Sequence, residues 1–344
     1  MDYFNIPHLA FPSEIDECSF PINYNVALTT VVLVDGTEVL RTKLYPVDGR
    51  VTLYDLAALL RDNLSIEKVS DVQLRVGSTT KDISILPSRC AMDEAEDFTT
   101  HHFLSLLDGV KPTYLEATEF LPLYFDGSYD DLQEASPSLV STWVNPVTGD
   151  IKTQAENFSS ATSHDDFLWQ LVFQPKRFVA PADGYTLHSI RACLEDRVQE
   201  YVVQTPIDST PFSLKFYNNF GLLETFHFFG TCEKELKPTR STASFNGKTR
   251  NYKVEAVPTW KCDTGALLPS VQPLFADLCA ATQVWRQDTG TEVTITDNEY
   301  KISDDRYALQ TASLTFRETA RTAAHVKTSA PKRTFDSSFD ETFF

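Results

Sequence analysis

The chain has 344 residues and is 42% hydrophobic, too apolar for a disordered polymer and, at ~150 residues per domain, long enough for two or three domains. Its 30 Lys and Arg stand against 48 Asp and Glu, and the net charge of −18 excludes nucleic-acid binding through whole-surface electrostatics and attraction to an anionic membrane. The opening MDYFNIPHLAFPSEIDE lacks the basic and apolar regions of a secretory signal, and no run of about 18 apolar residues is present for membrane insertion.

The first third reads as strands. Asn23–Val34 and Thr37–Tyr45 are rich in β-branched residues and flank Asp35-Gly36, a strong hairpin signal. Asp48-Gly49 predicts a second turn, leading into Arg50–Leu53. Leu56, Leu59, Leu60 and Leu64 then take a helical spacing, with Asp55 as the expected N-cap. Asp71–Val76 and Asp82–Leu86 resume the strand pattern.

In the middle third, Phe120–Phe125, Thr142–Val147, Phe167–Phe173, Tyr185–Cys193 and Val198–Gln204 read as strands or apolar runs, and polar Asp126–Pro137 reads as a loop. Thr205–Pro211, with two prolines, predicts a linker. Beyond it, Phe212–Phe216 and Leu222–Phe229 flank a turn at Asn218–Gly221, and Tyr252–Val257 alternates. Leu267–Val284 predicts the longest helix, its regular part confined to the second half by Pro269 and Pro273. Thr291–Thr296 and Tyr307–Phe316 close as strands.

Many short strands spaced by ~8–12 residues, with little helix, predict a mainly β chain of two or three β-sandwich-like modules and an extended C-terminal arm. The expected boundaries are 1–92, 93–206 and 207–317, followed by a linker and docking peptide over 318–344. The six cysteines lie at least 17 residues apart and form no CxxC pair. That spacing suits no zinc site, and it predicts six buried free thiols in a reducing cytosol.

Arg317–Arg333 changes composition, with five Lys or Arg against the single acid Glu318. The chain then closes on RTFDSSFDETFF, where Phe335, Phe339 and Phe343 recur every four residues and Asp336 and Asp340 follow the first two. Left in water, each phenylalanine forfeits roughly 2–3 kcal/mol that burial would return. These five residues are the candidate partner-docking residues. The segment either docks in a groove on a neighbouring subunit, as a helix or as a strand, or folds back on its own chain.

Catalytic motifs are absent: the sequence holds no GxGxxG, GxxxxGK[ST], HExxH or GxSxG. His101-His102 has Glu94, Glu96 and Asp97 nearby, but adjacent histidines on a strand point to opposite faces, so no metal ligand is assigned. Trp143, Trp169, Trp260 and Trp285 could form a sugar platform, although tryptophan more often fills a core.

Three segments carry a resemblance. They are Asp48-Gly49-Arg50-Val51-Thr52-Leu53-Tyr54-Asp55-Leu56, then Tyr217-Asn218-Asn219-Phe220-Gly221 with Leu222–Phe226, and the terminal Phe335–Phe343. Together they resemble tail-associated and virion structural proteins of phages and prophages that infect Bacteroides-type bacteria. The resemblance implies a structural subunit of the tail, in the tip or baseplate region, made in the host cytoplasm and assembled with other virion proteins. A homo-oligomeric ring, no cofactor and no catalytic residue are the accompanying expectations. A receptor- or carbohydrate-binding module is the alternative, and an enzyme is not expected.

Overall fold

In the computed structural model, which describes residues 7–22, 25–158, 160–204, 211–245, 247–300 and 310–319, the expected Asp-Gly turns form. Both residues of each pair take positive φ, 49° and 77° at Asp35-Gly36 and 50° and 73° at Asp48-Gly49. Glycine takes that backbone without strain, aspartate tolerates it, and the resulting twist matches that of the flanking strands.

The first unit contains β1 (Leu9–Ala10), β2 (Cys18–Pro21), β3 (Leu28–Val34), β4 (Thr37–Leu44), β5 (Arg50–Leu53), α1 (Leu56–Arg61), β6 (Ser70–Val76) and β7 (Thr79–Ile85). One sheet runs β1-β7-β6-β3-β4, with β1 parallel to β7, and β2 pairs with β5 beside it. Val32, Val34, Val51, Leu53, Leu74 and Ile85 fill the space between them, and Leu56 and Leu60 of α1 close it. The expected cap does not form. Asp55 is left-handed (φ 58°) and its side chain caps nothing. Instead Asp16, brought in by the turn before β2, accepts from the Ala57 N–H at 3.1 Å through its carboxylate and from the Leu56 N–H at 3.1 Å through its carbonyl.

The second unit contains α2 (Ala95–His101), β8 (Val110–Thr113), β9 (Glu119–Tyr124), α3 (Tyr129–Glu134), β10 (Ser138–Val144), β11 (Ile151–Asn157), β12 (Ser160–Ser163), β13 (Leu168–Phe173), β14 (Thr186–Leu194) and β15 (Arg197–Val203). Sheets β11-β10-β14-β15-β8 and β12-β13-β9 enclose a common core. Leu121, Leu171 and Phe173 come from one sheet, and Trp143, Ile190 and Tyr201 from the other. The expected loop at 126–137 contains α3, started by a capping box in which Ser128 and Asp131 exchange side-chain to backbone bonds. Only Leu132 of this helix is buried, so it left no apolar periodicity. His101 ends a helix rather than lying on a strand, and among the described residues no group of three His, Cys, Asp or Glu could hold a metal ion.

The third unit contains β16 (Phe212–Tyr217), β17 (Leu223–Phe228), β18 (Cys232–Phe245), β19 (Lys248–Asp263), α4 (Gln272–Ala280), β20 (Val284–Arg286), β21 (Glu292–Tyr300) and β22 (Ala312–Glu318). Its antiparallel sheet runs β17-β16-β20-β21-β22-β19-β18. Leu274, Phe275 and Leu278 of α4, whose first turn holds Pro273, pack with Phe216, Phe226 and Phe316 of the sheet. The strand expected at Tyr252–Val257 is a fragment of the 16-residue β19, and its 14-residue partner β18 was not foreseen. The sequence did contain its signal, the turn dipeptide Asn246-Gly247. Cys232 and Cys262 face each other across this hairpin and form a disulfide, which corrects the expectation of six free thiols. A separation of 30 residues carries no pattern, and only strand register brings the pair together. Of the other four, Cys18 alone is buried and Cys90 is exposed.

The three units meet at the Asn218–Gly221 turn. Phe220 and Leu222 enter a shared apolar cluster with Phe11, Leu86, Leu104 and Leu168. Asn219 accepts from the Arg89 and Cys90 N–H groups at 2.9 Å each, while its own N–H donates to Asp277 at 2.7 Å. Gly221 has φ 74°, and a Cβ placed there would lie 1.9 Å from the Ile66 carbonyl oxygen. Gly221→Ala therefore combines backbone strain with a clash against backbone. It is expected to lower the urea midpoint by the equivalent of about 3 kcal/mol or more, and a loss within ~0.5 kcal/mol, the range of a neutral surface change, would show that this approach is not tight.

Candidate functional site

The candidate docking residues Phe335, Asp336, Phe339, Asp340 and Phe343 lie outside the described residues, as do 205–210 of the predicted linker. Within the described chain, chemistry concentrates where the second and third units face each other, around Glu119. Ser213 and His227 stand directly opposite on β16 and β17, on the face turned away from Leu214, Phe226 and Phe228. That face packs on β9, and the short link from β8 to β9 places Lys111 and Thr113 beside Glu119.

Glu119 is fully buried and has four partners. Thr113 Oγ1 donates to its Oε1 at 2.6 Å, and His227 Nε2 bonds the same oxygen at 2.7 Å. Lys111 Nζ donates to Oε2 at 2.8 Å, and Thr225 Oγ1 donates to the same oxygen at 2.9 Å. Burial by itself would raise this carboxyl; the Lys111 ammonium and then His227 outweigh it and hold the group well below the usual carboxylate range. From His227 the chain of contacts continues to Ser213, with Nδ1 and Oγ 2.8 Å apart, and then to Tyr114 Oη at 3.1 Å.

Serine, histidine and glutamate in this order have the connectivity of a nucleophile relay. Two features set the cluster apart from one. Lys111 already neutralises the carboxylate. The Tyr114 hydroxyl caps Ser213 Oγ in a buried contact, although both residues line a cavity of about 390 Å³ with Phe212 and Thr118. The arrangement joins three sheets, through β9, β8 and β17, around a satisfied internal ion pair.

Two more acids surround the junction. Glu224 accepts from Ser105 Oγ at 2.6 Å and from Asn218 Nδ2 at 3.0 Å. Burial pushes it up to about 7 against the opposing charge of Lys111. Burial likewise raises Asp277 to about 6, against the Asn219 N–H and Arg89. In the sequence, Asn218, Asn219, Glu224 and Thr225 stood out only as parts of a turn and of the resemblance, and none of the cluster residues was given a role. The faint signal is an ionisable side chain inside an apolar strand, as in Phe226-His227-Phe228 or Glu119-Phe120-Leu121.

The four tryptophans do not make a platform: Trp143 and Trp169 are buried in the second core, Trp260 stacks with Phe212 and Phe316, and Trp285 meets Tyr217 edge-on. No helix among the described residues is long and apolar enough to cross a membrane. No family model matches the chain, and no curated protein matches it.

Two outcomes follow from the buried charges. Glu119→Ala leaves the Lys111 ammonium buried without its carboxylate and is expected to cost about 3–5 kcal/mol in urea unfolding. A cost below ~1 kcal/mol, that of an exposed pair, would show that water reaches the site. Glu224 and Asp277 bind protons more tightly folded than unfolded, so the stability these two groups contribute is present in full below pH ~4 and is lost as pH rises through about 6 and 7. Glu119, shifted the other way, changes nothing in that window. Denaturation midpoints are therefore expected to fall between pH 5 and pH 8, and less steeply in Glu224→Gln; equal slopes would remove Glu224 from the account.

Proposed function

We propose that this chain is a structural subunit of a phage or phage-like tail, in the tip or baseplate region, that works by protein–protein assembly into a homo-oligomeric ring and with other virion proteins. The observation that carries this reading is the β18–β19 hairpin. β22 pairs with β19 only from Thr259 to Asp263. Residues 236–245 and 248–258 therefore pair with each other and with no other strand among the described residues. At ~3.3 Å per residue this two-stranded ribbon extends about 33 Å past the sheet body. A ribbon of two strands is marginal alone and gains stability from a third strand or a packed face, and β18 is an edge that offers unpaired backbone groups to a neighbour. The base is pinned by the Cys232–Cys262 bond and by Trp260 stacked on Phe316.

The resemblance to virion proteins, the net charge of −18 and the phenylalanine-rich terminus point the same way. An acidic body keeps free subunits apart, and an arm and a terminal peptide supply the head-to-tail contacts a ring needs. The satisfied cluster around Glu119 suits a rigid part in such an object. The receptor-binding alternative gains nothing from the tryptophans, two of which are in the core.

Replacing residues 238–256 by Asn-Gly shortens the ribbon to Lys237 opposite Val257. Native mass measurements are expected to show a ring for the full chain and a monomer of unchanged melting temperature for the shortened one. A full chain that stays monomeric, or a ring indifferent to the shortening, would overturn the reading.

A further inference from the structure

Beside the three-unit junction lies a cavity of about 260 Å³ walled by Pro12, Leu64, Ile66 and Pro87 and framed by Arg61 and Arg89. The cavity brings together two arginines that have no carboxylate partner among the described residues. Arg41, Arg197 and Arg286 sit on carboxylates. Among the described residues neither Arg61 nor Arg89 makes an ion pair, despite 48 acids in the sequence. Arg61 projects from the last turn of α1 and is exposed. Arg89 is half-buried, donates to the Tyr217 carbonyl at 3.3 Å, and feels Asp277 only at longer range. An apolar slot between two unpaired guanidiniums suits an aromatic side chain followed by a carboxylate. The ring would fill the slot and meet a cation at its face, and the acid would take the guanidinium's donors.

The chain carries that ligand itself. Phe335-Asp336 and Phe339-Asp340 each place a carboxylate directly after a phenylalanine. Residues 320–334 separate this segment from Thr319 and let it reach at most ~50 Å. We propose that the terminal segment Phe335–Phe343 of one copy docks in the Arg61–Arg89 cavity of a neighbouring copy, phenylalanine in the slot and aspartate on the arginines. The proposal rests on the assembly reading above and names its second contact.

The test uses charge reversal in the full chain, read as native mass against concentration. Arg61→Asp alters an exposed side chain and is expected to keep the melting temperature while raising the half-assembly concentration by roughly tenfold or more. Asp336→Arg with Asp340→Arg is expected to do the same, and joining both sets of changes is expected to restore much of the loss. Assembly unchanged by Arg61→Asp, or no recovery in the combined variant, would overturn the docking and leave the ribbon-based ring standing. A wild-type chain that never assembles would instead remove the reading on which the docking rests.

Discussion

A carboxylate removed from water must find its full complement of donors inside the protein, and Glu119 finds them on two different sheets. Lys111 and Thr113 reach it from the neighbouring strand of its own unit, and Thr225 and His227 reach it from β17. Moving the third unit away from the second would leave Lys111 paired with Glu119 but would take away the donors of Thr225 and His227 from a carboxylate that water does not reach. An unmet bond to a buried charge costs more than a neutral one, so the relative position of the units matters to the cluster. The cluster thus contributes geometric specificity, fixing how the second and third units sit against each other.

The first unit is held to them by a different device. The Asn218–Gly221 turn saturates its own backbone through Asn218, whose Oδ1 accepts from the Phe220 and Leu222 N–H groups. It also reaches outward through Asn219 to the backbone at Arg89 and Cys90. Gly221 then lets the Ile66 carbonyl come closer than any side chain would allow. The three units thus share one junction, and the two-stranded ribbon leaves the third unit at its β18 edge.

Local features were legible where local physics decides. Asp35-Gly36 and Asp48-Gly49 dictate hairpins because few residues take two successive positive φ values, and both turns form. The leucine spacing at 56–60 depends on one face meeting a core, and that helix appears where expected; the helix expected in the second half of Leu267–Val284 instead starts earlier, at Gln272, because Pro273 fits the first turn, where its missing N–H costs nothing. The α1 cap was read wrongly because the nearest aspartate in sequence, Asp55, is not the nearest in space; Asp16 is. Helix α3 was missed because a six-residue helix with one buried leucine has no period to detect. β18 was missed because Cys232–Phe245 is polar, and the strand is specified by its partner and the Asn-Gly turn rather than by burial.

The residues alone determined a mainly β chain of short strands, acidic and without a membrane-spanning helix among those described, because composition, alternation and turn chemistry are properties of near neighbours in sequence. Only the tertiary structure decided that Glu119 meets His227 across 108 residues, that Cys232 meets Cys262, and that Arg61 and Arg89 frame one cavity without a carboxylate on either. Such encounters depend on strand order and register, which are set by the packing of whole sheets, and no pair of positions in the linear chain contains that information.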